Sequence, residues 1–131
     1  MRFLVTGAGG LIGANVALTF QGRGHEVHAL DHFDIGRREN LAEFRGTIHQ
    51  GDIRNINYDS LGRFDGIFHQ AAITDTTVMD EKLMMSVNVD AFVKILDYAR
   101  RTGCPKVVYA SSAATYGKGA PPNREDQVPQ P

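Results

Sequence analysis

Arg2-Phe3-Leu4-Val5-Thr6-Gly7-Ala8-Gly9-Gly10-Leu11-Ile12-Gly13 lies at the head of a 131-residue chain. Eighteen residues after Gly13 a lone acid, Asp31, closes the next apolar run, Glu26-Val27-His28-Ala29-Leu30. A strand, a glycine turn, an amphipathic helix (Leu11, Ile12, Val16, Ala17, Phe20) and a second strand ending in a carboxylate together predict a dinucleotide-binding βαβ unit. Gly7 allows the tight turn off the strand, Gly10 lets backbone approach a pyrophosphate, and Gly13 lets the helix pack close to the strand. The diphosphate then sits at the helix N-terminus, beside Leu11 and Ile12, where free N–H groups and the helix dipole both favour an anion. Asp31 is placed to accept from the adenosine ribose hydroxyls. A glycine triplet alone fits a purely structural turn equally well, and its context carries the reading.

Composition narrows the function classes. With 42% hydrophobic and 22% charged residues, the chain reads as one soluble globular domain. A net charge of −1 and scattered basic residues exclude the footprint of a nucleic-acid-binding protein. The single cysteine, Cys104, rules out an internal disulfide, fits a reducing compartment, and sits in a Thr-Gly-Cys-Pro turn that suggests a packing or loop role. No secretory leader, no bilayer-spanning apolar run and no metal site is read, so a cytoplasmic location is expected.

Short apolar runs alternate with helical patterns: strands near 2–6, 26–31, 46–50, 65–70 and 106–111, and helices near 11–23, 37–44 and 80–101. That rhythm predicts an α/β fold, a doubly wound parallel sheet of the Rossmann type with strand order 3-2-1-4-5. The ligand crevice is expected where the order reverses, at the carboxyl ends of strands 1 and 4. On the long helix Leu83, Val87, Ala91 and Ile95, flanked by Met84, Phe92 and Leu96, predict one wide buried face. Asn88 interrupts it and requires a hydrogen-bond partner, for which a neighbouring loop is the simplest candidate. Residues 1–117 are expected to form the NAD(P)-binding domain, and 118–131, which holds four of the five prolines, an extended loop.

The glycine turn, Asp31, Gly51-Asp52-Ile53, Phe68-His69-Gln70-Ala71-Ala72, Asn88-Val89 and Tyr109-Ala110-Ser111-Ser112-Ala113-Ala114-Thr115-Tyr116-Gly117 together resemble the extended short-chain dehydrogenase/reductases. More narrowly the chain is similar to the NAD-dependent epimerase/dehydratase branch that acts on nucleotide sugars. Within it, residues 67–117 are most similar to nucleotide-activated heptose epimerases, with galactose epimerases as close neighbours. The resemblance implies that Gly7, Gly10 and Gly13 hold the pyrophosphate and Asp31 the adenosine ribose. It implies that Asp52 and Ile53 flank the adenine, Asp52 accepting from its exocyclic amine, that Ala71 and Ala72 let backbone approach the cofactor, and that Asn88 braces the adjoining loops. Ser112 takes the position whose hydroxyl binds the reacting sugar oxygen, while Ser111 faces the other way. Thr74, Thr76 and Thr77 sit on the same crevice edge as candidate substrate contacts. Each has a plainer alternative: Asp52 as a turn acid, the alanines as tight packing, Ser112 as a cap, the threonines as solvated loop, His69 as a strand residue packed inside.

In the family a tyrosinate takes a hydroxyl proton while hydride passes to nicotinamide, and its Tyr-x-x-x-Lys partner lowers the phenol pKa. No such pair occurs here. The positions four residues after Tyr58, Tyr98, Tyr109 and Tyr116 are Gly62, Thr102, Ala113 and Ala120. The resemblance places the pair on a helix beyond the proline-rich segment, so the chain is expected to represent the cofactor-binding N-terminal part of longer, homodimeric enzymes and to be inactive alone. A non-catalytic NAD-binding module and a net-redox dehydrogenase of the same superfamily are the competing functions. NAD is favoured over NADP because Asp31 repels a ribose phosphate, although Arg37 and Arg38 lie within reach of one.

Overall fold

Strands β1 (Arg2–Thr6), β2 (Glu26–Asp31), β3 (Thr47–Gln50), β4 (Gly66–His69) and β5 (Val107–Tyr109) form one parallel sheet in the order β3-β2-β1-β4-β5. A computed structural model describes residues 1–130 of the chain. In register, Phe3 lies beside Val27 and Gly66, and Val5 beside Ala29 and Phe68. The expected doubly wound topology is therefore present, with the order reversing between β1 and β4.

Alternation along each strand divides the core into two layers, because successive side chains leave a strand on opposite faces. On one side Val5, Val27 and Ala29 pack against Ala14 and Ala17 of helix α1 (Leu11–Gly22) and against Leu41 and Phe44. On the other, Leu4, Leu30 and Ile67 meet Phe64, Ala91, Ile95, Tyr98 and Ala99. Burying each such aliphatic side chain contributes about 1.5–3 kcal/mol, so both layers are needed to offset the ordering of the chain.

Several expectations change in detail. The stretch near 37–44 is a single 3-10 turn, Arg38–Leu41, and two further 3-10 turns occur at Tyr58–Leu61 and Ala113–Tyr116. Strands 3 to 5 are shorter than their apolar runs, since only Thr47–Gln50, Gly66–His69 and Val107–Tyr109 pair with a neighbouring strand. Leu11 and Ile12 begin α1 but are 75% and 63% exposed, so they do not join its buried face.

The helix read as 80–101 is composite: α2 (Glu81–Met85), a π-helical turn at Ser86–Asp90, and α3 (Ala91–Thr102). Its wide buried face is narrower than expected, because Leu96 points outward at 43% exposure and the buried positions after the π turn are Ala91, Ile95, Tyr98 and Ala99. Asp80 caps the start by accepting from Leu83 N–H, and Gly103, in the left-handed conformation, ends it.

Candidate functional site

Gly7 turns the chain off β1 at φ 67°, and a Cβ there would lie 2.6 Å from the Ala71 nitrogen. The segment after β4 is thus pressed directly onto the glycine turn. A Cβ on Gly13 would lie 2.1 Å from the Gly7 carbonyl oxygen, which is how α1 comes to pack against the end of its own strand. Gly10 occupies the N-cap and, having no side chain, caps nothing. The N–H groups of Leu11, Ile12 and Gly13 belong to the first turn, where no helical carbonyl is available to them. An uncapped helix start behind a glycine turn is a site shaped for a diphosphate.

Asp31, at the end of β2, is 7% exposed. Its carboxylate accepts from Gly9 N–H at 2.9 Å and from Phe33 N–H at 2.8 Å. Phe33 itself adopts a positive φ of 63°. The loop beyond folds back over the glycine turn, with Arg37 N–H and Asn40 Nδ2 both donating to the Gly9 carbonyl. Gly36 lies so near that a Cβ on it would sit 2.8 Å from the Asp31 carboxylate. Sequence reasoning passed over Gly36 and Asn40; the only signal available was a glycine and an asparagine within ten residues of Asp31.

One strand further out, Gly51 N–H donates to the Asp31 carbonyl, joining the loop of Asp52 to that of Asp31. Asp52 is bound by the Arg54 guanidinium, which holds its carboxyl below the usual carboxylate range. The Ile53 side chain belongs to the core layer with Leu30 and Tyr58, which leaves its main chain as the part able to meet a ligand.

Asn88 has the partner its position demanded. Its Oδ1 accepts from Ile73 N–H at 2.8 Å and its Nδ2 donates to the Ile73 carbonyl at 3.0 Å, so one side chain satisfies both polar groups of a residue in the loop after β4. The amide sits within the π turn. Replacing Asn88 with Leu is expected to cost about 1–3 kcal/mol, the range for stranding partly buried backbone groups. Hydrogen exchange should then accelerate at the Ile73 amide and not in β1.

Thr74 and Thr76 are exposed on that loop, and Thr77 is engaged with Asp75. Ser112 caps the last 3-10 turn, its Oγ accepting from Ala114 N–H at 3.2 Å, and its hydroxyl proton remains free to donate. His69 is buried against Phe92 and hydrogen-bonded to Thr6. Tyr58 and Tyr98 are core residues whose hydroxyls donate to the carbonyls of Ile53 and Gly62. Burial pushes the Tyr98 phenol up to about 12, and that of Tyr58 rises for the same reason.

A groove of about 470 Å³ lies away from these groups, between the Tyr58–Leu61 turn and α3, and its Arg101 is already paired with Asp59 and Asp97. Among the described residues there is no cluster suited to a metal ion, and no helix is long and apolar enough to cross a membrane.

The model of the NAD dependent epimerase/dehydratase family matches residues 3–131. This chain belongs to that family. A UDP-N-acetyl-alpha-D-glucosaminuronate decarboxylase of Bacillus cytotoxicus is 35% identical over 131 residues, covering 95% of this chain and 40% of the relative. Among solved structures, the ADP-L-glycero-D-manno-heptose-6-epimerase of Helicobacter pylori superposes with a TM-score of 0.87 at 37% identity, over 99% of this chain and 44% of that one. The UDP-glucuronic acid 4-epimerase of Bacillus cereus in complex with NAD superposes at 0.86 with 26% identity, over 100% of this chain and 46% of that one. The chain thus spans less than half the length of these family members.

Proposed function

We propose that the chain is the cofactor-binding part of an NAD-dependent enzyme that remodels a nucleotide sugar, with epimerisation as the reaction. The observation that carries this is the uncapped start of α1 behind the Gly7–Gly13 turn, with the Asp31 carboxylate one strand away. Both glycines are positions where a Cβ would strike backbone, and the close approach of α1 and of the segment after β4 to the end of β1 that they permit supports a dinucleotide at this turn. In this reading the diphosphate rests on the N–H groups of Leu11, Ile12 and Gly13, Asp31 accepts from the adenosine ribose, and Asp52 with the Ile53 main chain meets the adenine. Ala71 and Ala72 line the approach after β4, and Asn88 braces that loop. Bound NAD would supply a reversible hydride acceptor.

Ser112 donates to the reacting sugar oxygen, with Thr74 and Thr76 on further hydroxyls. The heptose-epimerase neighbour supports a nucleotide sugar as the substrate class. Neither Tyr58 nor Tyr98 is able to serve as the base, since both hydroxyls are committed and held protonated. NAD is preferred to NADP because Asp31 opposes a second phosphate, and Arg38 is already engaged with Gln50 and the Phe33 ring.

Calorimetric titration of the chain with NAD and NADP tests the reading. Saturable NAD binding, weakened about tenfold or more in Asp31→Ala by loss of a charged acceptor, is expected without turnover of any sugar nucleotide. A folded chain that binds neither dinucleotide would sink it.

A further inference from the structure

Asp52 is held in place by a residue that the cofactor reading does not use. Arg54 N–H donates to Oδ1 at 2.8 Å, Arg54 Nε lies 3.0 Å from Oδ1 and 2.9 Å from Oδ2, and Nη2 donates to Oδ2 at 2.5 Å. The Arg54 carbonyl is tied in turn to α3, accepting from Lys94 Nζ at 2.6 Å. Both side chains are partly exposed, Arg54 at 32% and Asp52 at 26%, so the pair faces solvent at the end of β3.

These four contacts involve only three protons, because the Nε proton is shared between the two oxygens. A carboxylate offers about four lone-pair positions, and Oδ1 and Oδ2 each meet two of these contacts, so a further donor displaces one limb of the shared Nε bond at the exposed edge of the group. The backbone N–H and Nη2 bonds then keep the carboxylate's orientation. An aspartate lacking this clamp would have to give up its side-chain freedom when a ligand arrives, whereas here the orientation is set beforehand.

We propose that Arg54 is a positioning residue for the adenine end of the cofactor, aiming the Asp52 carboxylate as an acceptor and so giving the site its preference for an amine over a carbonyl at that ring position. The proposal rests on Asp52 being the adenine acceptor. Arg54 touches no reacting atom and acts through Asp52 alone.

The test compares affinities of the chain for NAD and for nicotinamide hypoxanthine dinucleotide, in which the exocyclic amine is replaced by a carbonyl and the adjoining ring nitrogen gains a proton, a change that wild type and variants meet alike. Wild type is expected to prefer NAD. Arg54→Ala should narrow that preference about three- to tenfold, as expected for losing one preorganised side chain, and leave the affinity for the hypoxanthine analogue nearly unchanged. A merely structural role would weaken both dinucleotides together and leave their ratio intact. Circular dichroism reports whether Arg54→Ala folds; if it does not, Arg54→Gln, which keeps the backbone bond but removes the charged fork, carries the same comparison.

Asp52→Asn separates the two levels. If wild type shows no preference or binds neither dinucleotide, or if Asp52→Asn keeps the preference, then Asp52 is not the adenine acceptor and the role of Arg54 falls with it. If Asp52→Asn abolishes a preference that Arg54→Ala and Arg54→Gln leave untouched, the positioning role alone is overturned.

Discussion

Gly13→Ala, a change of one methyl group, is expected to destabilise the chain by about 3 kcal/mol or more and to abolish NAD binding. The added Cβ would fall 2.1 Å from the Gly7 carbonyl oxygen, 2.7 Å from its carbon and 2.9 Å from the Ala8 Cα. All three are backbone atoms, so no rotamer change relieves the clash, and α1 must move away from β1. Such a movement opens the layer in which Ala14 and Ala17 meet Val5 and Ala29, and it displaces the N–H groups of the first helical turn. Gly22→Ala in the last turn of the same helix is the control, since nothing lies within 4 Å of its added Cβ. There the usual helix preference for alanine predicts a change of zero to about +1 kcal/mol. Urea unfolding of both variants, with NAD titration of whatever remains folded, checks the pair. Near-equal stabilities for the two variants would mean that the close approach of Gly13 to Gly7 is not essential.

The parts of the fold legible in the sequence are those where one physical cause acts alone. Strands buried on both faces have to be apolar throughout, and Phe3-Leu4-Val5 and Val27-His28-Ala29-Leu30 announced β1 and β2 for that reason. Asn88 was legible as a polar break in an apolar row, and so was its need for a loop partner. That Ile73 would be the partner, and that the helix would take a π turn there, depended on where the segment after β4 comes to lie. Leu96 was misjudged because the buried face of α3 is the row Ala91, Ile95, Tyr98 and Ala99, which leaves position 96 on its outer flank. Arg54 was hidden differently: an arginine two residues after an aspartate reads as solvated charge until its bonds to Asp52 are seen. All four tyrosines lack a lysine four residues on, and nothing local in the sequence distinguishes Tyr98, which is fully buried, or Tyr58, which is 7% exposed, from the other two.

His69 is expected to make the chain acid-labile. It ends β4 at 6% exposure, its ring stacks on Phe92 with centroids 4.9 Å apart, and its Nδ1 lies 2.7 Å from the Thr6 hydroxyl. Thr6 Oγ1 also accepts from Ala71 N–H, so the hydroxyl links the histidine to the segment that closes the glycine turn. Burial brings the imidazole down to about 4, well below its ordinary value. A histidine lowered in the folded state binds its proton more readily in the unfolded chain, so the sign is that stability rises with pH through this window. The contribution is fully present above the ordinary histidine value near 6.5 and declines as pH falls towards 4, by about 3 kcal/mol in all at 1.36 kcal/mol per unit. Carboxylates such as Asp52, whose value is lowered, add losses at the acid end, and His49, also lowered, adds one in the same range. Comparing urea unfolding of wild type and His69→Gln from pH 7 to pH 4.5 isolates the His69 part, because the other groups are common to both proteins. The difference between the two stabilities should shrink steadily as pH falls below 6.5. A difference that stays constant with pH would show that His69 takes up its proton in the folded chain at the ordinary value, and that its stacking on Phe92 leaves the ring open to water.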